Sequence, residues 1–227
     1  MKQIRQLVSL VAILVAGTVT SLAAGLDIRE PGLDGQGRFW VFVASNAPMP
    51  YVPYAWMPEA ATNIMTMDTA CTTTPQGEGV KRGEKDTCIS VSLKWGAPFW
   101  CGVAFLSGPE GPPAWWGDDD RGWAYDLSKL KNKRLVFYAR SDEGARIQAK
   151  VGILGSKGEN GDSLKFPAES RWLKLTKEWK RYEIDLSKYK AEDLKRICNG
   201  FTFVVNRDQQ DGAKEKTQFF LDTIYFE

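Results

Sequence analysis

The stretch Arg146-Ile-Gln-Ala-Lys-Val-Gly-Ile153 decides the fold class. Ile147, Ala149, Val151 and Ile153 alternate with Arg146, Gln148, Lys150 and Gly152. A period of two puts the apolar set on one face of a half-buried strand and the other set on the opposite face. The same texture continues in both directions. Strands are expected over 38–44, 63–68, 87–95, 100–106, 134–140, 171–175, 179–186, 200–206 and 217–226, separated by polar or Gly/Pro segments. About ten strands spaced in this way predict an all-β chain folded as an antiparallel sandwich. Helix signals are weak. Short helical turns are expected at 126–131 and 187–197, capped by Asp126 and Ser187. The segment 47–58 holds Pro48, Pro50, Pro53 and Pro58 around Tyr51, Tyr54 and Trp56, and it reads as a stiff, extended aromatic loop because proline supplies no ladder donor.

Lys2 and Arg5 precede an apolar run over 7–16, and small residues follow at Ser21, Ala23 and Ala24. This is the pattern of an export signal, expected over residues 1–23, with one β-sandwich domain over 24–227. Secretion or a periplasmic location follows, with no membrane insertion after cleavage. Removing Lys2 and Arg5 leaves 28 basic residues against 28 acidic ones. A near-neutral chain lacks the positive field that dominates nucleic-acid binding, so nucleic acid is not expected as a partner.

The chain has no histidine, which removes Ser-His-Asp and Cys-His catalysis and histidine metal ligation. Four cysteines, Cys71, Cys88, Cys101 and Cys198, are an even number in an exported chain and favour disulfides. Cys71 and Cys88 flank the polar segment 72–85, which a bridge would close, leaving Cys101 with Cys198. Four cysteines allow three pairings, and the sequence does not choose among them.

Five of the nine tryptophans fall between Trp95 and Trp123, beside Gly108-Pro-Glu-Gly-Pro-Pro113 and Gly117-Asp-Asp-Asp120. Flat aromatic faces beside planar polar groups suit the C–H faces and hydroxyls of pyranose rings. Trp95 and Trp100 lie in strand patterns and are read as structural. The candidate carbohydrate-binding residues are Trp115, Trp116 and Trp123 with Asp118, Asp119, Asp120 and Arg121, and Tyr54 and Trp56 from the proline-rich segment.

Several segments together resemble the galactose-binding-like jelly-roll domains of the carbohydrate-binding-module kind found in bacterial secreted proteins. They are Tyr54-Ala-Trp-Met57, Trp100-Cys-Gly-Val-Ala104, Trp116-Gly117, Tyr125-Asp-Leu-Ser128, Leu135-Val-Phe-Tyr-Ala-Arg140, Val151-Gly-Ile153, Asp162-Ser163, the run 175–186 and Phe220-Leu-Asp-Thr-Ile-Tyr-Phe226. The resemblance implies a jelly-roll sandwich that binds a polysaccharide or oligosaccharide without catalysis. It also implies a structural calcium near Asp222, with Asp27 or Glu30 as a partner. Leu221-Asp-Thr-Ile224 departs from the family's usual Leu-Asp-Asp-Ile, which bears on that calcium. The alternatives are an adhesive cell-envelope protein that uses the sandwich for protein contacts, and a polysaccharide hydrolase or lyase working through paired carboxylates.

Overall fold

A computed structural model describes residues 27–43, 50–71, 87–107, 123–154, 161–211 and 215–227. The expected export signal and the segments 72–86 and 108–122 lie outside these residues. Among the described residues no helix is long and apolar enough to cross a membrane.

The alternating stretch forms β9 (Arg146–Val151), with Ile147, Ala149 and Val151 fully buried and Arg146, Gln148 and Lys150 half-buried. On one side it pairs antiparallel with β13 (Asn199–Asn206), and on the other with β10 (Ala168–Glu169) and β11 (Leu173–Lys174). β13 pairs with β6 (Trp100–Leu106), and β6 with β3 (Val52–Met57), which completes a front sheet ordered β10-β9-β13-β6-β3. The back sheet runs β12 (Lys180–Asp185), β8 (Arg134–Arg140), β14 (Lys216–Phe226), β5 (Cys88–Lys94), β4 (Met65–Cys71), with β2 (Phe39–Phe42) on the far end of β14. Strands consecutive in the chain, such as β3 and β4, β5 and β6, β8 and β9, and β13 and β14, alternate between the sheets. A small parallel pair joins β1 (Asp27–Arg29) to β7 (Trp123–Tyr125).

The antiparallel sandwich expected from the alternation is the fold observed. Three expectations are corrected in detail. The segment read as a proline-stiffened loop contains β3, a strand at the edge of the front sheet, where a residue without an N–H is tolerated and where the register slips between Pro53 and Ala55. The helical turn expected over 187–197 is a 3-10 turn at Glu192–Leu194 with no side-chain cap, while the Ser187 N–H bonds Asp185 Oδ1 at 2.8 Å. At 126–131 Asp126 does accept from the Ser128 N–H at 2.9 Å, but the segment turns without forming a helix.

Between the sheets lies one apolar core that includes Val103, Phe105, Phe137, Ile147, Phe201, Phe203, Phe219 and Leu221. Phe105 and Phe137 both pack on Phe201 with ring centroids 5.5 Å away, and Phe203 meets Phe219 edge-on at 5.3 Å. Tyr51 closes one end. Its ring is fully buried against Phe39 and Tyr125, and its hydroxyl donates to the Ile197 carbonyl at 3.0 Å. A glycine at 200 is required there, because a Cβ would lie 2.6 Å from the Tyr51 ring.

Cys88, Cys101 and Cys198 are buried and Cys71 is half-buried. Geometry separates the expected pairs. Cys71 and Cys88 face one another in register across β4 and β5. Cys101 pairs across from Val205 at one end of β6, whereas the carbonyl of Cys198 accepts from the Ser107 N–H beyond its other end. That separation, on the order of 20 Å along an extended strand, is far beyond the reach of a disulfide. Burial pushes the Cys101 thiol up to about 12 and also raises Cys198, so neither is a ready nucleophile.

Candidate functional site

The front sheet has an outer face as well as a core face. In β6, Cys101, Val103 and Phe105 join the main core, so Trp100, Gly102, Ala104 and Leu106 take the opposite side. Ala104 and Leu106 form a separate apolar cluster with Tyr54, Met57, Ile153 and Leu154. Register then builds rows across this face. Met57, Gly102, Val204 and Gln148 are cross-strand partners on β3, β6, β13 and β9, and Trp100 stands opposite Asn206 one step further along. At the usual strand spacing the four-strand row is on the order of 14 Å wide, the scale of an oligosaccharide.

Met57, Trp100, Gln148, Val204 and Asn206 are all half-buried. Phe99, which precedes Trp100, is 50% exposed. The polar members are only partly committed to the protein. Gln148 Nε2 donates to the Ser170 carbonyl at 3.0 Å, and Asn206 Oδ1 accepts from the Asp208 N–H at 2.8 Å. Among the described residues, each amide makes these bonds through one of its two polar ends, and the other end is available to a hydroxyl. Lys150 and Glu169 add an ion pair of 2.9 Å at the β10 side. Gly102 keeps the middle of the row flat. A Cβ there would meet the Phe203 carbonyl oxygen at 2.5 Å, so the absent side chain serves both the ladder and the floor.

Asp162 fixes one wall of this face. It is fully buried and accepts from the N–H groups of Cys198 at 2.6 Å and Asn199 at 3.0 Å through Oδ1, and of Leu154 at 3.0 Å through Oδ2. Burial raises its carboxyl to about 6, against these donors and Arg196, which pull it down. The carboxyl thereby ties the turn carrying Ile153 and Leu154, which pack on Leu106 and Ala104, to the start of β13.

The residues singled out from sequence are distributed as follows. Trp115, Trp116, Asp118, Asp119, Asp120 and Arg121 lie outside the described residues. Tyr54 is half-buried in the outer cluster of the front sheet, and Trp56 pairs with Val103 through its backbone. Trp123 opens β7, packs partly on the main core, and has the Arg29 guanidinium 3.9 Å from its ring centroid. That contact occupies one face of the indole. Asp222 is fully buried in the back sheet and accepts from the Thr223 N–H at 2.5 Å. Asp27 and Glu30 are paired with Arg29 and Lys129. Among the described residues no group of three His, Cys, Asp or Glu side chains gathers.

Sequence reasoning assigned Trp100 to a structural role and passed over Phe99, Gln148, Val204 and Asn206. The signal was nonetheless present, because Trp100, Gly102, Ala104 and Leu106 alternate with an equally apolar set, and a strand apolar on both faces has something on each.

No family profile matches the chain, and no characterised protein is found as a sequence relative. Solved structures similar to it include β-sandwich carbohydrate-binding modules. The family 11 module of the cellulosomal cellulase Lic26A-Cel5E of Clostridium thermocellum is 15% identical with a TM-score of 0.46, covering 82% of this chain and 92% of that one. TmCBM61, solved with β-1,4-galactotriose, is 17% identical with a TM-score of 0.39, covering 78% and 90%. The glycoside hydrolase domain of Endo-D from Streptococcus pneumoniae R6 is 13% identical with a TM-score of 0.45, and this chain spans 21% of that structure's length.

Proposed function

We propose that this chain is an exported, non-catalytic carbohydrate-binding sandwich whose outer front face holds a polysaccharide or oligosaccharide. The observation that carries the reading is the row Met57, Gly102, Val204 and Gln148, with Trp100 and Phe99 at its edge and Asn206 opposite Trp100. A flat strip with half-buried aromatics on one side and amides within it offers a stacking surface and hydrogen-bond partners to the same ring. Trp115, Trp116, Asp118 to Asp120 and Arg121, which follow β6 in sequence, are proposed as further sugar-binding residues. No step of bond cleavage is assigned. Asp162, the carboxyl with the raised proton affinity, is fully buried and committed to three backbone N–H groups, unlike an acid facing a substrate.

Affinity electrophoresis against plant, algal and bacterial polysaccharides tests the reading. At least one neutral polymer is expected to retard the protein, and Trp100→Ala is expected to weaken that binding about tenfold, equivalent to ~1.4 kcal/mol. Absence of retardation by every polymer refutes it.

One observation favours a second reading, an adhesive envelope protein. The outer back face carries Val136, Tyr138 and Tyr225 with Trp40 and Trp179, and Arg38 lies 4.8 Å from the Tyr225 ring centroid. Val136, Tyr138 and Tyr225 are buried there, so the accessible part of the layer is the half-buried Trp40 and Trp179 with Arg38, an aromatic and arginine composition also found at protein contact surfaces. A concentration-dependent oligomer in sedimentation, together with indifference to all sugars, selects that reading.

A further inference from the structure

At the edge of the sandwich, where β9 and β11 of the front sheet approach β12 of the back sheet, lies an open cavity of about 300 Å³. Four cations line it, Arg146, Arg171, Lys174 and Lys180, around Trp172 and Tyr182. The charge is not balanced locally. Asp211 takes Lys174 at 2.5 Å and Arg146 at 3.1 Å, and those contacts, the Lys174 hydrogen bond first, hold its carboxyl below the usual range. Among the described residues no salt bridge engages Arg171 or Lys180, whose ammonium instead sits 5.7 Å from the Tyr182 ring centroid. The cavity therefore keeps positive charge beyond what Asp211 neutralises, beside a half-buried indole.

Its floor explains why the opening persists. Leu173 and Tyr182 come from the two sheets, and the Tyr182 hydroxyl reaches the Lys174 carbonyl at 3.5 Å, so the gap between sheet edges is propped by a side chain that also stacks on Phe137 at 5.6 Å. The volume is at the small end of ligand sites, suited to one ring and not to a chain of rings. A guanidinium and an ammonium beside an aromatic surface discriminate for a ring bearing an anionic group, since neutral hydroxyls gain little from two cations.

We propose that this edge cavity is a subsite for an anionic sugar residue, with its carboxylate or sulfate ester held by Arg171 and Lys180 and its ring against Trp172. The proposal rests on the sugar-binding reading only for the class of ligand, because the cavity is built from residues separate from the front-face row.

Calorimetric titration with oligogalacturonate, a sulfated polysaccharide and a neutral polysaccharide retained by the front face tests it. Oligogalacturonate or the sulfated polymer is expected to bind. Arg171→Gln with Lys180→Gln should weaken that binding at least tenfold, as should Trp172→Ala, and rising sodium chloride should weaken it progressively. The polymer that responds identifies carboxylate or sulfate as the anion. The neutral polymer should be indifferent to these changes and sensitive to Trp100→Ala. Absence of binding by both anionic polymers, or anionic binding that survives the double variant, overturns the proposal and leaves the front face standing. Anionic binding lost in the double variant, with no neutral polymer bound, overturns the front-face reading and leaves this one.

Discussion

Replacing Asp162 with asparagine isolates a single carboxyl whose environment can be followed bond by bond. In the folded chain its proton is held up to about pH 6, while the ordinary carboxyl releases it near 3.8. The folded state therefore binds more protons across that window, and stability contributed by the protonated group is present below about pH 4 and lost as the pH rises through 6. A gap of about two units corresponds to roughly 3 kcal/mol. Asparagine does not titrate, so this loss vanishes in the variant. The amide carries its own penalty, because Oδ1 can still serve the Cys198 and Asn199 N–H groups, but an NH2 then faces the Leu154 N–H in place of Oδ2. A buried donor without an acceptor costs about 1–3 kcal/mol at any pH. Urea unfolding of both proteins at pH 4 and pH 7 separates the two effects. The wild-type advantage should be larger at pH 4 and shrink by roughly 2 kcal/mol at pH 7, with other titrating groups cancelling in the difference. An advantage of the same size at both pH values would refute the account of burial as the force that raises this carboxyl.

Gly200→Ala should destabilise the fold by about 1–3 kcal/mol, read as a lowered thermal midpoint, because its Cβ would meet the buried Tyr51 ring at 2.6 Å. An unchanged midpoint would mean that Tyr51 has room to withdraw. Tyr51→Phe should cost about 1 kcal/mol by removing the buried hydroxyl's bond to the Ile197 carbonyl, which keeps only the Tyr125 N–H, a change visible in the denaturation midpoint at unchanged slope. Under oxidising conditions Cys71 and Cys88, facing each other in register, should form a bridge detectable as a linked peptide in a non-reduced digest, and its reduction should cost about 3 kcal/mol. In the same protein Cys101 and Cys198 should resist a thiol reagent until denaturant is added, and a Cys101–Cys198 linked peptide would contradict the strand register.

The fold was legible where one face of a strand is polar. In β9 and β12 the alternation of buried residues with half-buried or exposed ones marks both strand and face, so the sequence period translates directly into structure. Legibility failed at β3 for a different reason. Proline argues against a central strand, but β3 is an edge strand with a bulge, and edge position depends on partners 50 residues away and more. The front-face row was missed because its members are spread over four strands, and only register brings Gln148 to Val204 and Gly102 to Met57. Local composition did draw attention to the segment 108–122, since it concentrates Trp and Asp in one run. It gave no hint of the cationic edge cavity, whose Arg146, Arg171 and Lys180 come from separate segments and look like ordinary surface charge in the sequence.

The position of β14 has a consequence for how such a chain is made. This eleven-residue strand occupies the middle of the back sheet, bonded to β5, β8 and β2, yet it follows all three in the chain. During vectorial synthesis β5 and β8 emerge with their mutual neighbour still unmade, so neither half of that sheet can close over the core until β14 appears. Closing the back sheet then waits on distant pairings, slow by topology. A chain threaded unfolded through a translocation channel loses nothing by such a delay, whereas one stalled before Lys216 would expose two apolar sheet edges to aggregation.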